Sequence, residues 1–249
     1  MSQGSERKGG PGTRQQGAAL LLLLSVVLIG GISMALEGLK IKSKRMRNDT
    51  TSAALLARAK KALIGSAVVN AGAAGQFGRL PCPANVTLGG YRTNAAASGP
   101  CGGADGQMAI GFLPWFDLGL PPFTDGSNAP IWYVVSGIFK SGSATANGYA
   151  CDGNNLTLNG SGDYAAILIA PGDPLTFSPT RQVRDPTQTP TNLRDHFFEE
   201  ENVTATTNFV IKTIQEDPSR IAISPLLNDR LLGIRCSEIM GVISRYASP

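Results

Sequence analysis

Nineteen consecutive uncharged residues, Ala18 to Leu36 (AALLLLLSVVLIGGISMAL), constrain this chain more than any other feature. As a helix rising about 1.5 Å per residue the run covers roughly 28 Å, enough to cross the hydrocarbon core of a bilayer. A polar leader precedes it, with Arg14 close to the end and Gly17 directly against the apolar run. Three readings fit such a segment. A cleaved secretory signal calls for a shorter apolar region and a small-x-small site; this run is long for that, and Gly30-Gly31-Ile32-Ser33 matches only loosely. A plain membrane anchor fits the length. The third reading turns on Gly17.

The rest of the 249 residues suffices for one ordinary domain or two small ones. Thirty glycines, 16 prolines and only 16% charged residues imply that this part is rich in turns. The net charge of +4 is unevenly spread. The leader carries Arg7, Lys8 and Arg14 against Glu6, and residues 37–61 carry eight basic against two acidic groups. The remainder, 62–249, is therefore mildly acidic, and its charge gives no support to a nucleic-acid surface. Four cysteines with no CxxC spacing lean towards disulfides in an oxidising compartment. The charges pull the other way on topology. Lys40, Lys42, Lys44, Arg45 and Arg47 outnumber the basic residues of the leader, which by the positive-inside rule would hold the C-terminal side in the cytoplasm.

Helical periodicity continues beyond Glu37 in amphipathic form. Leu56, Ala59, Leu63 and Ala67 recur at helical spacing and form an apolar stripe to pack on the following domain. Arg58, Lys60 and Lys61 fall on other faces and read as a solvated surface. The polar stretch Asn48–Ser52 (NDTTS) is a candidate break or re-cap, and Asn70–Gly75 ends the helix. From Gln76 the chain is punctuated by Pro and Gly. Ile131–Ser136, Tyr164–Ala170, Ile221–Ile223 and Leu231–Arg235 read as strands from their β-branched and aromatic content. The proline-rich 171–190 reads as a long loop. Ser237 is placed to cap a last helix that turns Ile239, Met240, Val242 and Ile243 inward.

A basic leader ending in glycine against an uncharged helix resembles the N-terminus of type IV prepilins and type II secretion pseudopilins. Later pieces resemble bacterial prepilin-like proteins in the same order: GRLPCP (78–83), FLPWFDLGLP (112–121), DGSNAPIWYV (125–134), AAILIAPGDPL (165–175), FFEEEN (197–202) and NDRLLGI (228–234). The resemblance covers nearly the whole chain after Gly17. It implies that a prepilin peptidase cuts between Gly17 and Ala18 on the cytoplasmic side. The apolar helix is then kept, as an inner-membrane anchor and afterwards as the core of a helical fibre of pilins or pseudopilins. It also implies a head outside the cytoplasm, against the charge rule. The fifth mature residue, usually Glu in the family, is Leu22 here, which argues against a major self-stacking subunit and for a minor or tip position. Gly30 and Gly31 read either as close helix packing, which membrane helices tolerate, or as a place where the helix melts locally in a fibre.

Chemistry is sparse. The single histidine, His196, lacks the partners a metal site or a nucleophile relay would need. No GxSxG occurs, and the run Glu199-Glu200-Glu201 reads as a solvated loop rather than an acid/base pair. The expectation is a non-enzyme without a cofactor or metal. Major pseudopilins hold calcium near a D-x-x-G-N-P turn; here Asp125-Gly-Ser-Asn128-Ala-Pro departs from that order. Asp125, Asp152, Asn155 and Asp163 are better explained as turn formers. Sequons at Asn48, Asn85, Asn155, Asn159 and Asn202 carry no glycan meaning in a bacterial protein, and would carry it in the minor alternative of a eukaryotic secretory protein.

The four cysteines allow three pairings. Cys82 and Cys101 flank a Gly/Ala/Asn-rich loop with little apolar content to order it. Cys236 follows one strand and Cys151 precedes another. The proposed pairs are Cys82–Cys101 and Cys151–Cys236, with a Cys82–Cys151 link an open alternative. Together these readings predict an α+β, pilin-like protein: leader 1–17, transmembrane helix 18–36, amphipathic stalk helix 37–75, and a turn-rich, mainly β head 76–249 with a C-terminal helix. The expected function is structural, a minor pilin or pseudopilin-like subunit in fibre initiation, at the tip or in adhesion. The alternative is a singly anchored periplasmic binding protein that never joins a fibre.

Overall fold

The computed structural model describes residues 14–69, 78–84, 101, 106–122, 124–141, 151, 156–174, 194, 197–198, 201–210 and 229–247, with side chains for all of these but 14–19, 33–42, 45, 201, 203 and 246–247. Helix α1 runs Arg14–Val69. The strands are β1 (Gly106–Phe112), β2 (Trp132–Gly137), β3 (Leu156–Leu158), β4 (Ser161–Ala170), β5 (Asn208–Phe209) and β6 (Arg230–Arg235). A short helix, α2 (Glu201–Thr204), precedes β5, and α3 (Cys236–Ala247) follows β6 directly. The chain divides into two units between Arg47 and Asn48.

In the first unit, the large apolar side chains from Leu20 to Ile32 are 56–72% exposed on every face of α1. They are part of the run 18–36. Among the described residues no helix is long and apolar enough to cross a membrane.

The second unit is α+β. Its ten-residue strand β4 is the hub of a mixed sheet in which hydrogen-bonded pairing links β1 to β2, β2 to β4, β4 to β3 and β3 to β5, with β6 also paired to β4. On one edge of β4, β2 pairs antiparallel over Ala166–Ile169 and β3 pairs at its start. On the opposite edge, β6 pairs antiparallel over Tyr164–Ala170. Both faces of this centre are covered. Tyr133, Val135, Ala166 and Leu168 face the layer built by α1 and by Ile239 and Ile243 of α3. Trp132, Val134, Ile167 and Ile169 face an aromatic layer with Phe112, Phe197, Phe198 and Phe209. Trp132 is the centre of that second layer, its ring 4.7 Å from Phe112 and from Phe198 and 5.4 Å from Phe197, at the separations of edge-on and tilted aromatic pairs. Burial on two faces explains why β2 and the end of β4 read as continuous apolar runs rather than alternating ones.

The structure corrects several local expectations. Asn48–Ser52 does not break the helix: α1 is continuous through it. Two of its polar side chains, those of Asp49 and Ser52, find tertiary partners instead of competing for local backbone. The Ser52 hydroxyl accepts the Gly126 N–H at 2.9 Å, and Asp49 forms a two-point pair with Arg230. A Cβ on Gly126 would run into the Asn48 backbone, so glycine is required for this approach. Ser237 is not the cap of the last helix, which starts one residue earlier; Glu238 reaches back to accept the Arg235 N–H at 2.8 Å, half of a capping box. Strand β4 begins three residues before the expected Tyr164, because Asn159-Gly160, with φ of 53° and 70°, makes a tight hairpin from β3. Strand β2 is offset by one residue from expectation, β6 begins one residue earlier and ends where expected, and Ile221–Ile223 lies outside the described residues.

Candidate functional site

The candidate site is helix α1 and the groups that hold its second half to the head. Gly17 and Ala18 lie in the opening turns of α1. Leu22, the position where the resemblance expects Glu, is 68% exposed. A Cβ added at Gly30 or Gly31 would meet nothing within 4 Å. The first part of α1 thus presents an apolar surface on all sides and two positions where the backbone is open to close approach.

From Asn48 the same helix is amphipathic. The predicted stripe Leu56, Ala59, Leu63 and Ala67 is buried, at 0–3% exposure, in the core layer with Tyr133, Leu168 and Ile239. Lys60, read from sequence as solvated, is instead a tie. Its Nζ donates to the Gly233 carbonyl at 2.9 Å and pairs with the Glu238 carboxylate at 2.7 Å, joining α1 to the β6–α3 junction. Partial burial of Glu238 favours its neutral form, but the Lys60 and Arg235 N–H hydrogen bonds and their charges outweigh this and hold its pKa below the usual glutamate value. The contribution to stability is therefore complete above the unfolded-state pKa and is lost as pH falls through the lower folded one. With the Glu238 side chain 38% exposed it is worth at most about 1 kcal/mol. Lys60→Met is expected to flatten the acid limb of the stability–pH profile, measured by urea unfolding at a series of pH values; an unchanged limb would refute the tie.

Asp125 behaves as a turn former. It is buried, its Oδ1 accepts the Ser127 and Ala129 N–H groups at 2.8 Å each, and its Oδ2 accepts the Gly172 N–H at 2.7 Å. The carboxylate thus joins the 125–130 turn, which touches α1, to the end of β4. Asp125→Ala leaves three N–H groups without this acceptor and is expected to cost about 3 kcal/mol or more, since charge-assisted bonds are worth about 1.5–3 kcal/mol each and water compensates in part. The denaturant midpoint reads this directly; a loss below about 1 kcal/mol would contradict the role.

Several of the pieces that carried the resemblance meet around β2, while Arg230–Ile234 pairs with β4 on its other edge. Arg79 is fully buried and its Nη1 donates to the Ile138 and Lys140 carbonyls. The Tyr133 hydroxyl, its pKa pushed up by burial, donates to the Pro81 carbonyl at 3.1 Å. Ala84 exchanges backbone bonds with Phe112.

Cys82 is bridged to Cys101, with Cα atoms 5.2 Å apart, and Cys151 to Cys236, at 5.7 Å. An oxygen of Asp163 lies within 4.8 Å of the sulfurs of Cys151 and Cys236; with those sulfurs bonded to each other, the three do not form a thiolate donor set. Asn202 is buried, its amide bonded to Val210 on both sides and to Asp229, so that sequon is closed in the folded chain. His196, Glu199, Glu200, Asp152 and Asn155 lie outside the described residues. Sequence reasoning missed Lys60, Arg79 and the buried Phe197–Phe198 pair. For the phenylalanines the signal was present, two adjacent large apolar residues beside a charged run; for Lys60 and Arg79 there was none. No protein-family profile, curated protein or solved structure matches the chain.

Proposed function

We propose that this chain is a structural subunit of a type IV pilus or type II secretion-type fibre, of the minor pilin or pseudopilin kind. Its apolar N-terminal helix would anchor it in the inner membrane with the head in the periplasm, and would afterwards pack among the helices of other pilins. The observation that carries the reading is the exposure of every large apolar side chain from Leu20 to Ile32 around α1. So much continuous apolar surface calls for lipid or other helices as its surroundings. The open backbone at Gly30 and Gly31 suits close helix packing. Leu22, where the resembled family usually carries Glu, argues against the body of a fibre and supports a role in initiation, at the tip or in adhesion.

Processing tests this. Co-expressed with a prepilin peptidase, the protein is expected to begin at Ala18 by intact-mass analysis. Recovery of the full leader would favour the anchored protein that never joins a fibre, and cleavage beyond Ser33 would favour a secretory signal.

A further inference from the structure

The two disulfides differ in what an external thiol can reach. In Cys82–Cys101, Cys82 is buried, Cys101 is half-buried, and both sulfurs face the Ser141 carbonyl at 3.9 and 3.7 Å. In Cys151–Cys236 the two ends are opposite in character: Cys151 is exposed and Cys236 is 0% exposed. Thiol–disulfide exchange proceeds by attack of a thiolate along the S–S axis, so the accessible sulfur decides both whether a bridge reacts and which cysteine keeps the adduct. Here Cys236, at 0% exposure, offers no surface to an incoming thiol, so attack falls on the exposed Cys151 and Cys236 is the leaving group. Cys236 is the first residue of the twelve-residue α3, where the helix amides favour a developing thiolate. The acidic residue of that first turn, Glu238, is already engaged by Lys60 and the Arg235 N–H.

We propose that Cys151 Sγ is a modification site for small thiols. The attacking thiol gives up its proton to water and forms a new S–S bond to Cys151, the Cys151–Cys236 bond breaks, and its electron pair leaves on Cys236 Sγ, which takes up a proton as the opened bridge admits water. The products are a mixed disulfide on Cys151 and a free Cys236 thiol, with no external oxidant or reductant needed. The Asp163 carboxylate, within 4.8 Å of the two sulfurs, biases the site against anionic thiols and towards neutral or cationic ones. The inference is independent of the fibre reading, since it concerns the head alone.

The oxidised full-length protein is incubated under native conditions with cysteamine or with glutathione, acid-quenched, alkylated and mapped by mass spectrometry. The expected result is the cysteamine adduct on Cys151, alkylated Cys236, and an intact Cys82–Cys101 bridge. Glutathione is expected to react more slowly than cysteamine, and Asp163→Asn should reduce that gap. An adduct on Cys236, opening of Cys82–Cys101 first, or no exchange short of unfolding would overturn the site. Equal rates for the two thiols with Asp163 in place would overturn the charge bias.

Discussion

Removing the Cys151–Cys236 bridge, with Cys151→Ser and Cys236→Ala, is expected to cost about 4 to 5 kcal/mol. The bridge closes a loop of 85 residues, against 19 for Cys82–Cys101, and on the chain-entropy account the cost grows with the logarithm of loop length. The shorter loop should cost about 3 kcal/mol. The longer one also fastens the β6–α3 junction, where Gly233 and Glu238 hold Lys60 of α1. Its loss should therefore loosen the docking of α1 on the head as well as enlarge the unfolded ensemble. Alanine stands at position 236 because the site is fully buried and a serine hydroxyl there would need a partner. Urea unfolding without reductant measures the three proteins side by side. A larger loss from the 82–101 variant would reverse the assignment of which bridge matters more.

Leu63→Ala should cost about 3 to 5 kcal/mol, while Leu22→Ala should leave the unfolding of the head within about 0.5 kcal/mol of the parent. Both leucines belong to α1. Leu63 is 0% exposed between the helix and the sheet, packed in the cluster of Tyr133, Leu168 and Ile239, and its truncation leaves a cavity that a close-packed layer cannot fill. Leu22 is 68% exposed. In the proposed fibre its effect belongs to assembly, and a head-unfolding assay is blind to that. Comparable losses from both substitutions would mean that the apolar start of α1 stabilises the head directly.

Where one interaction dominated, the fold was legible in advance. The stripe 56-59-63-67 could be read because a helix that must bury one face repeats its apolar residues every three to four positions. Strands β2 and β4 could be read because burial on both faces leaves an unbroken apolar run. Strand β1, GQMAIGF, was passed over: two glycines dilute its pattern, and it is ordered by pairing with β2 and by the Ala84 segment. Strand β3 is too short to signal itself, yet Asn159-Gly160 was a hairpin signal available in the sequence. The Ser237 cap fails because Cys236 already belongs to the helix, and the Asn48–Ser52 break fails for a different reason. Ser, Thr, Asp and Asn look the same in sequence whether they end a helix or reach a distant partner, and here Ser52 reaches Gly126 and Asp49 reaches Arg230.

The candidate site divides along the same line. The apolar run after Gly17, the amphipathic stripe and the even cysteine count are properties of local order and composition, and the sequence determined them by itself. Which cationic residues of α1 are solvated, which carboxylate holds the turn to β4, and which cysteine of a bridge is buried were decided by tertiary structure alone. Lys60 and Lys61 are adjacent and chemically alike, but only Lys60 lies over the Gly233 carbonyl and Glu238. That position depends on how β6 pairs with β4 more than 170 residues later, and no local pattern encodes a contact between segments so far apart. The physical reason is that burial and pairing belong to the packed arrangement, whereas periodicity and charge belong to the chain.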